Sequence, residues 1–196
     1  MELRLDIKKR YTYADYLTWV DHQARELLNG FIRLMSPAPT LTHAKITRTI
    51  FFELEHYVRK NNGKCQVFTA PLDVRLTKKP GEVEDDQIDT VVQPDLCIVC
   101  DESKLDERGC LGAPDMVVEI TSLSSQKYDW NEKFNLYESS GVKEYWVVSP
   151  KEKGVNVFLL QEDGKYDRGV VYEGETEVPV KTLAGLRVSL GTIFNP

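Results

Sequence analysis

Long apolar runs are missing from this chain of 196 residues. No segment approaches the roughly 18 consecutive apolar residues of a membrane span. The N-terminal stretch MELRLDIKKRY lacks the apolar core of a signal peptide. Internal repeats, low-complexity tracts and Gly/Ser linkers are also missing. We therefore expect a cytoplasmic protein without a membrane segment, folded as one domain over residues 1–196.

Cysteine is scarce, with only Cys65, Cys97, Cys100 and Cys110. Because no export signal precedes them, reduced thiols are expected rather than a disulfide framework. Cys97 and Cys100 have the spacing of zinc ligands, but alternation along a strand directs their sulfur atoms to opposite faces. No histidine nearby completes a ligand set. Buried thiols are therefore favoured over zinc.

Direct signals of several function classes are absent. The chain has no glycine-rich phosphate loop and no GxSxG motif, so NTPase and serine hydrolase hypotheses have no support. A basic surplus is also absent: the net charge is −6, which argues against a surface that grips nucleic acid everywhere. Five acids are concentrated in residues 82–89 (EVEDDQID), however. A solvated acidic loop there leaves room for a locally basic cleft elsewhere.

The periodicity predicts an α/β (α+β) protein, a mixed sheet flanked by helices, with an N-terminal helix and β-hairpin. Thr12 and Asp15 form a capping pair before a stripe of Tyr13, Tyr16, Leu17 and Val20, and Asn29-Gly30 indicates a hairpin turn. Long helices are predicted from Thr42 to about Arg59 and from about Ser125 to Ser140. The predicted strands are CQVFTAPLDVRL, TVVQPDLCIVC, APDMVVEI, KEYWVVSP, NVFLLQ, KYDRGVVY and RVSLGTIF.

Two acids interrupt apolar strands. Asp95 shares a strand face with Cys97 and Val99, and Glu119 lies between Val118 and Ile120. An ionised Glu119 in such a strand is costly unless a cation or hydrogen bonds compensate. Carboxylates on rigid neighbouring strands suit a hard divalent cation. For Asp95, and more so for Asp115, ordinary turn chemistry after a proline is the alternative.

The predicted helix after Glu119 carries a candidate cation, the ammonium of Lys133. Lys133 lies at the edge of the stripe formed by Trp130, Phe134 and Tyr137, from which a lysine can reach the sheet. A plain surface pair with Asp129, four residues earlier, is the alternative.

These residues resemble a known family. The ordered pieces are ELLNG, SPAP followed by His43, QPDL, APDMVVEITS, a helix with Asp129, Lys133 and Tyr137, and GVKEYW. Together they resemble the bacterial "putative restriction endonuclease" family, a branch of the PD-(D/E)XK nuclease superfamily, over about residues 11 to 150. The resemblance implies a restriction-endonuclease-like core that binds Mg²⁺, or Mn²⁺ as a substitute, for phosphodiester hydrolysis.

In that resemblance Asp95 matches the PD aspartate and Glu119 the acid of (D/E)XK, so both are expected to be catalytic and to bind the metal. Thr121 stands where the superfamily usually has lysine. Lys133 is the expected catalytic substitute, and Lys127 is its rival.

Glu26 and His43 complete the set of candidate catalytic residues. The family has an acid at the place of Glu26, before the hairpin turn, where an exposed acid is the alternative. His43 lies in the first turn of the long helix at the centre of its apolar stripe, so it points inward, either as a core histidine or to orient water or phosphate. Glu53 is the alternative helix carboxylate.

The sequence thus predicts a Mg²⁺-dependent endonuclease with DNA as substrate, no membrane partner, and a homodimer by analogy with restriction enzymes. A catalytically silent module with the same fold, binding nucleic acid or protein, is the main alternative. A small-molecule hydrolase with an enclosed pocket is the third hypothesis.

Overall fold

The computed structural model describes residues 5–21, 23–35, 38–77, 83–121 and 129–195. The helices are α1 (Tyr13–Tyr16), α2 (Leu41–Lys60), α3 (Asp129–Ser140) and α4 (Leu190–Phe194). The first strands are β1 (Arg25–Leu28), β2 (Phe31–Leu34), β3 (Gln66–Thr69), β4 (Val74–Arg75), β5 (Val91–Val92), β6 (Leu96–Val99) and β7 (Leu105–Asp106). The later strands are β8 (Gly109–Leu111), β9 (Met116–Ile120), β10 (Glu144–Ser149), β11 (Gly154–Leu159), β12 (Val170–Tyr172), β13 (Glu177–Pro179) and β14 (Arg187–Ser189). No helix in these ranges has the length and apolarity needed to cross a membrane.

The strands form two six-stranded sheets and a separate pair, β13-β14. The first sheet, here called the hairpin sheet, has the order β2-β1-β5-β4-β8-β7. The second, the central sheet, has the order β12-β11-β10-β9-β6-β3. Both are mixed, since β4 and β8 run parallel in the first and β9 and β10 in the second. The predicted fold class, mixed sheets with flanking helices, is confirmed.

The N-terminal elements follow local chemistry. Thr12 caps α1 through a capping box with Asp15. Asn29 and Gly30 have φ angles of 51° and 84°, and this left-handed pair closes the β1-β2 hairpin as predicted. The predicted stripe continued to Leu17 and Val20, which was wrong: α1 ends at Tyr16, and both side chains are exposed.

Two predicted strands are each divided between the sheets. The segment CQVFTAPLDVRL forms β3 in the central sheet and β4 in the hairpin sheet, and TVVQPDLCIVC forms β5 and β6 in the same divided way. Pro71 separates the first pair and Pro94 the second. Proline lacks the N–H that a continuing ladder needs, so the chain leaves one sheet there and enters the other.

Helices cover the two faces of the central sheet. Ile46, Ile50 and Leu54 of α2 pack in one cluster with Leu96 and other residues of that face. Leu136 and Tyr137 of α3 pack on the opposite face, in a second cluster that includes Cys97, Val117 and Tyr145. The alternation predicted for β6 and β9 is therefore confirmed. It directs one residue set to α2 and the other to α3.

The C-terminal prediction needs a correction. RVSLGTIF was predicted as a strand, but only Arg187–Ser189 is extended and Leu190–Phe194 is helical. Leu190 and Ile193, three residues apart, are both buried in the cluster under α2, a spacing that a helix satisfies and a strand does not. The short strands β7, β8 and β13 were also missing from the predicted set.

The expectation of four reduced cysteines was wrong. Cys65 directly precedes β3 and Cys100 directly follows β6, and the register that pairs Gln66 with Val99 sets the two cysteines opposite each other. They form a disulfide. Cys97 and Cys110 are free and buried. The pairing depends on strand register, which residue spacing in the sequence does not reveal.

Protein denatured without reductant should therefore titrate two thiols, those of Cys97 and Cys110, with a thiol-specific reagent. Reduction should raise the number to four and lower the free energy of unfolding by about 3–4 kcal/mol, because the link closes a loop of 35 residues. Four titratable thiols before reduction would contradict the disulfide.

Candidate active site

Asp95 and Glu119 lie opposite each other at one end of the β6-β9 pair. The antiparallel register pairs Leu96 with Val118, which brings Asp95, one residue before β6, level with Glu119 in β9. The backbone N–H of Ile120 donates a hydrogen bond of 2.7 Å to Oδ2 of Asp95. The two strand acids predicted from the sequence are thus fixed side by side on the central sheet.

Helix α3 supplies two donors to Glu119. Lys133 Nζ lies 2.9 Å from Oε1 of Glu119, and the Tyr137 hydroxyl donates to the same oxygen at 2.6 Å. The two residues are four apart, so they share one face of the helix and reach the same side of the sheet. A plain surface pair with Asp129 does not account for the position of Lys133, whose side chain is only 15% exposed.

The hairpin sheet contributes Glu26. Its Oε1 lies 3.1 Å from Lys133 Nζ and accepts a 2.9 Å hydrogen bond from the backbone N–H of Gln93. Glu26 is buried, so the exposed-acid alternative was wrong. One ammonium therefore bridges a carboxylate from each sheet.

Helix α2 contributes His43. Its Nε2 lies 3.1 Å from Oδ2 of Asp95, and the Thr47 hydroxyl is within 3.4 Å of its Nδ1. The hydrogen bond with Asp95 raises the pKa of His43 even though burial opposes the charged ring. The inward direction predicted from the helical stripe agrees with this contact.

The structure thus brings all five candidate catalytic residues together; we call Glu26, His43, Asp95, Glu119 and Lys133 the acid–lysine cluster. Glu53 has no hydrogen bond or ion pair with it among the described residues. Thr121 is occupied elsewhere, since its hydroxyl donates to the carbonyl of Val148 at 3.3 Å. The rival Lys127 and the predicted start of α3 at Ser125 lie outside the described residues.

Burial dominates the electrostatics of this cluster. It raises the pKa of Glu119 to about 7, with Asp95 and Glu26 adding to the rise and Lys133 opposing it. Burial also disfavours the Lys133 ammonium, but the charges of Glu119 and Glu26 outweigh it and raise the pKa of the lysine. Two of the three carboxylates, Glu26 and Glu119, share one firmly charged ammonium, while Asp95 pairs with His43. A proton or a further cation is needed to balance the three acids.

The oxygen atoms suit a hard cation. The hydrogen bonds from described residues use Oδ2 of Asp95 and Oε1 of Glu119 and Glu26. The second oxygen of each carboxylate accepts none from that part of the chain. Across the described ranges, no three His, Cys, Asp or Glu side chains form a ready-made metal cage. Mg²⁺ commonly binds through one or two carboxylates, with waters and substrate phosphate completing its shell, so Asp95 and Glu119 fit it.

Two residues of the site were not predicted to have these contacts. Tyr137 was predicted as part of the apolar stripe of the helix, although its spacing of four from Lys133 could have indicated a shared target. Gln93 joins Glu26 to a further polar group, since its side-chain amide donates to Asp73 Oδ1 at 2.8 Å. Its place directly before the PD motif is the only feature of the sequence that could have indicated these contacts.

Known proteins share the sequence pattern and the fold of this chain. A family model described as "Putative restriction endonuclease" matches residues 13–191. The chain belongs to this family. An uncharacterised protein of Synechocystis sp. is 21% identical over 183 residues, covering 92% of this chain and 89% of that protein.

A crystal structure of a "putative nuclease" from Anabaena variabilis has the same fold. Its TM-score is 0.73 at 21% identity, over 94% of this chain and 98% of that one. The resemblance to the putative restriction endonuclease family that the sequence motifs indicated is thereby confirmed. The roles of individual side chains rest on the geometry of this chain alone.

The pKa of Glu119 predicts a pH-dependent stability. The folded protein keeps a proton on Glu119 up to about pH 7, whereas the unfolded chain releases it near 4.5. The Glu119 contribution to the free energy of unfolding therefore falls as pH rises between these values. In chelator, the stability of Glu119→Gln relative to wild type should increase from pH 5 to pH 7, as measured by urea unfolding.

Glu177→Gln is the matched control, because Glu177 is exposed and pairs with Arg187. Its stability relative to wild type should show no rise over this window. A Glu119→Gln difference that is equally flat would contradict the raised pKa.

Proposed function

We propose that the protein is a Mg²⁺-dependent endonuclease that hydrolyses phosphodiester bonds in DNA, with Mn²⁺ able to replace Mg²⁺. The observation that carries the proposal is the convergence of Asp95, Glu119 and Lys133 from a strand end, a strand and a helix. The β6-β9 register sets Asp95 level with Glu119, and Lys133 hydrogen-bonds to Glu119. Membership of the putative restriction endonuclease family supports the same reaction class.

Asp95 and Glu119 are the residues that would hold the metal. A bound Mg²⁺ polarises a phosphoryl oxygen and lowers the pKa of a water, which is the chemistry that phosphodiester hydrolysis requires. The strand backbone helps to fix Asp95, since the Ile120 N–H donates to one of its oxygens. Tyr137 holds one oxygen of Glu119 in the same way.

Lys133 is the residue that would act on the reacting groups. Its ammonium keeps its proton because Glu26 and Glu119 flank it. A fixed positive charge at this place would stabilise the charge that develops on the phosphate, or orient the attacking water. Glu26 holds Lys133, and His43 holds Asp95, so we assign both to positioning.

DNA is the proposed substrate, and a homodimer is the proposed assembly, because cutting both strands of a duplex takes two sites. The small-molecule alternative is less favoured. Asp95 and His43 keep 21% and 17% of their side-chain surface exposed, so the site opens to the surface. The alternative of a catalytically silent module was suggested by Thr121, which stands where the superfamily usually has lysine. Lys133 supplies an ammonium in its place.

Removing a metal ligand should abolish metal binding and cleavage together. Calorimetric titration of Mn²⁺, with and without a short duplex, should show binding to wild type and none to Asp95→Ala or Glu119→Gln. Nicking of supercoiled plasmid should disappear in the same variants.

Lys133→Ala should behave differently, because its side chain holds no metal. It should bind Mn²⁺ and cleave at least about 100-fold more slowly, since positioned electrostatic stabilisation of this kind contributes roughly 10²–10³ in rate. Cleavage that persists in Glu119→Gln would overturn the metal assignment. Wild-type protein that binds no Mn²⁺, either alone or with duplex present, would favour the silent module.

A further inference from the structure

Arg33 lies beside the acid–lysine cluster without belonging to it. The β1-β2 register pairs Arg33 directly with Glu26, so both side chains leave the hairpin sheet on the same face. Arg33 Nη2 pairs with Glu132, the residue before Lys133 in α3, at 2.8 and 3.0 Å from its two carboxylate oxygens. The guanidinium is therefore held at the edge of the site, between the hairpin and α3.

The surroundings of Arg33 differ from those of Lys133. The Arg33 side chain is 53% exposed and Glu132 is 36% exposed, whereas Lys133 is only 15% exposed. β2 is the first strand of the hairpin sheet, so Arg33 stands on an edge strand. Exposed ion pairs of this kind contribute little to stability, about 0–1 kcal/mol. Stability alone is thus a weak reason for this placement.

The guanidinium still has donors to offer. Glu132 accepts hydrogen bonds only from Nη2 of Arg33. Nε and Nη1 donate no hydrogen bond to the described residues. The planar arginine fork can bind two oxygens of one phosphate at once. Glu132 therefore orients the side chain and leaves its remaining edge available.

A polyanion that approaches this site needs such a cation. Asp95, Glu26 and Glu119 repel a phosphodiester backbone, and the ammonium of Lys133 is already shared between two glutamates. Arg33 is the exposed positive charge that the hairpin register brings next to these acids. Its position at the rim suits a phosphate that flanks the reacting one.

We propose that Arg33 binds a DNA backbone phosphate next to the scissile phosphate, with Glu132 as its positioning residue. This inference rests on the proposed function, because it names how the same site holds its substrate. The contact is to the backbone, so it contributes affinity without sequence preference.

The test is the salt dependence of duplex binding in chelator, where no cleavage occurs, measured by fluorescence anisotropy over a series of KCl concentrations. Arg33→Ala should weaken binding on the order of tenfold, the effect of losing one charge-assisted hydrogen bond. It should also reduce the slope of log Kd against log salt by about one. Arg33→Lys should keep the slope and recover part of the affinity, since it retains the charge and loses the fork.

Arg187→Ala is the matched control. Arg187 is 55% exposed and pairs with Glu177 in the separate β13-β14 pair, so its loss should change neither affinity nor slope. Glu132→Gln should bind duplex at least as tightly as wild type, because its amide oxygen can still accept from Nη2 and position Arg33 while a negative charge leaves the rim. Mn²⁺ affinity should stay unchanged in Arg33→Ala.

The outcomes distinguish failure of this inference from failure of the proposed function. If wild type binds duplex and Arg33→Ala binds it equally well with the same slope, Arg33 is not a phosphate ligand and the proposed function stands. If Arg33→Ala and Glu132→Gln weaken binding alike, the pair is structural and the inference is overturned. If wild type binds no duplex while Mn²⁺ still binds, the DNA substrate itself is wrong, and this inference fails with it.

Discussion

A single buried ammonium links the main parts of this protein. Lys133 leaves α3 and lies between Glu119 of the central sheet and Glu26 of the hairpin sheet. Taking these charges out of water is expensive, and removing one partner would leave an uncompensated buried charge. The helix and the two sheets are therefore held to one relative position wherever this contact is kept. Stability alone is a poor explanation of such an arrangement, because apolar residues of similar volume often stabilise as well.

The surrounding hydrogen bonds extend the same constraint. Tyr137 and Lys133 converge on one oxygen of Glu119, and the Gln93 backbone and Lys133 converge on one oxygen of Glu26. Each acid is thus fixed through one oxygen, and no hydrogen bond from the described residues uses its other oxygen. Catalytic groups must be held to a fraction of an ångström, which requires supporting contacts of this kind.

The comparisons and the geometry answer different questions. The family match and the shared fold extend over most of the chain, at 21% identity to each relative. At this sequence identity the shared fold does not show which side chains act at the site. Asp95, Glu119 and Lys133 are therefore assigned from their contacts in this chain. Arg33 is assigned from its register with Glu26.

Most helices and strands, and the faces on which their residues lie, could be predicted from the amino-acid sequence alone. Local chemistry was sufficient for the Thr12 cap, the Asn29-Gly30 turn, the apolar stripe of α2 and the alternation that separates Glu119 from Val118, because each involves residues close together in the chain. The ordered motifs indicated the family and the five residues of the cluster. The early end of α1 and the helical turn of α4 were missed because burial of particular side chains, rather than periodicity, decides such short elements.

Contacts between residues distant in the chain were set by the fold. The register of β3 with β6 made a disulfide of Cys65 and Cys100, against the expectation of free thiols. The registers of β1 with β2 and of β6 with β9 set Arg33 against Glu26 and brought Asp95 level with Glu119. A shift of one residue in any strand would turn its side chains to the opposite face. Such long-range contacts follow from packing between elements, which local sequence patterns do not encode.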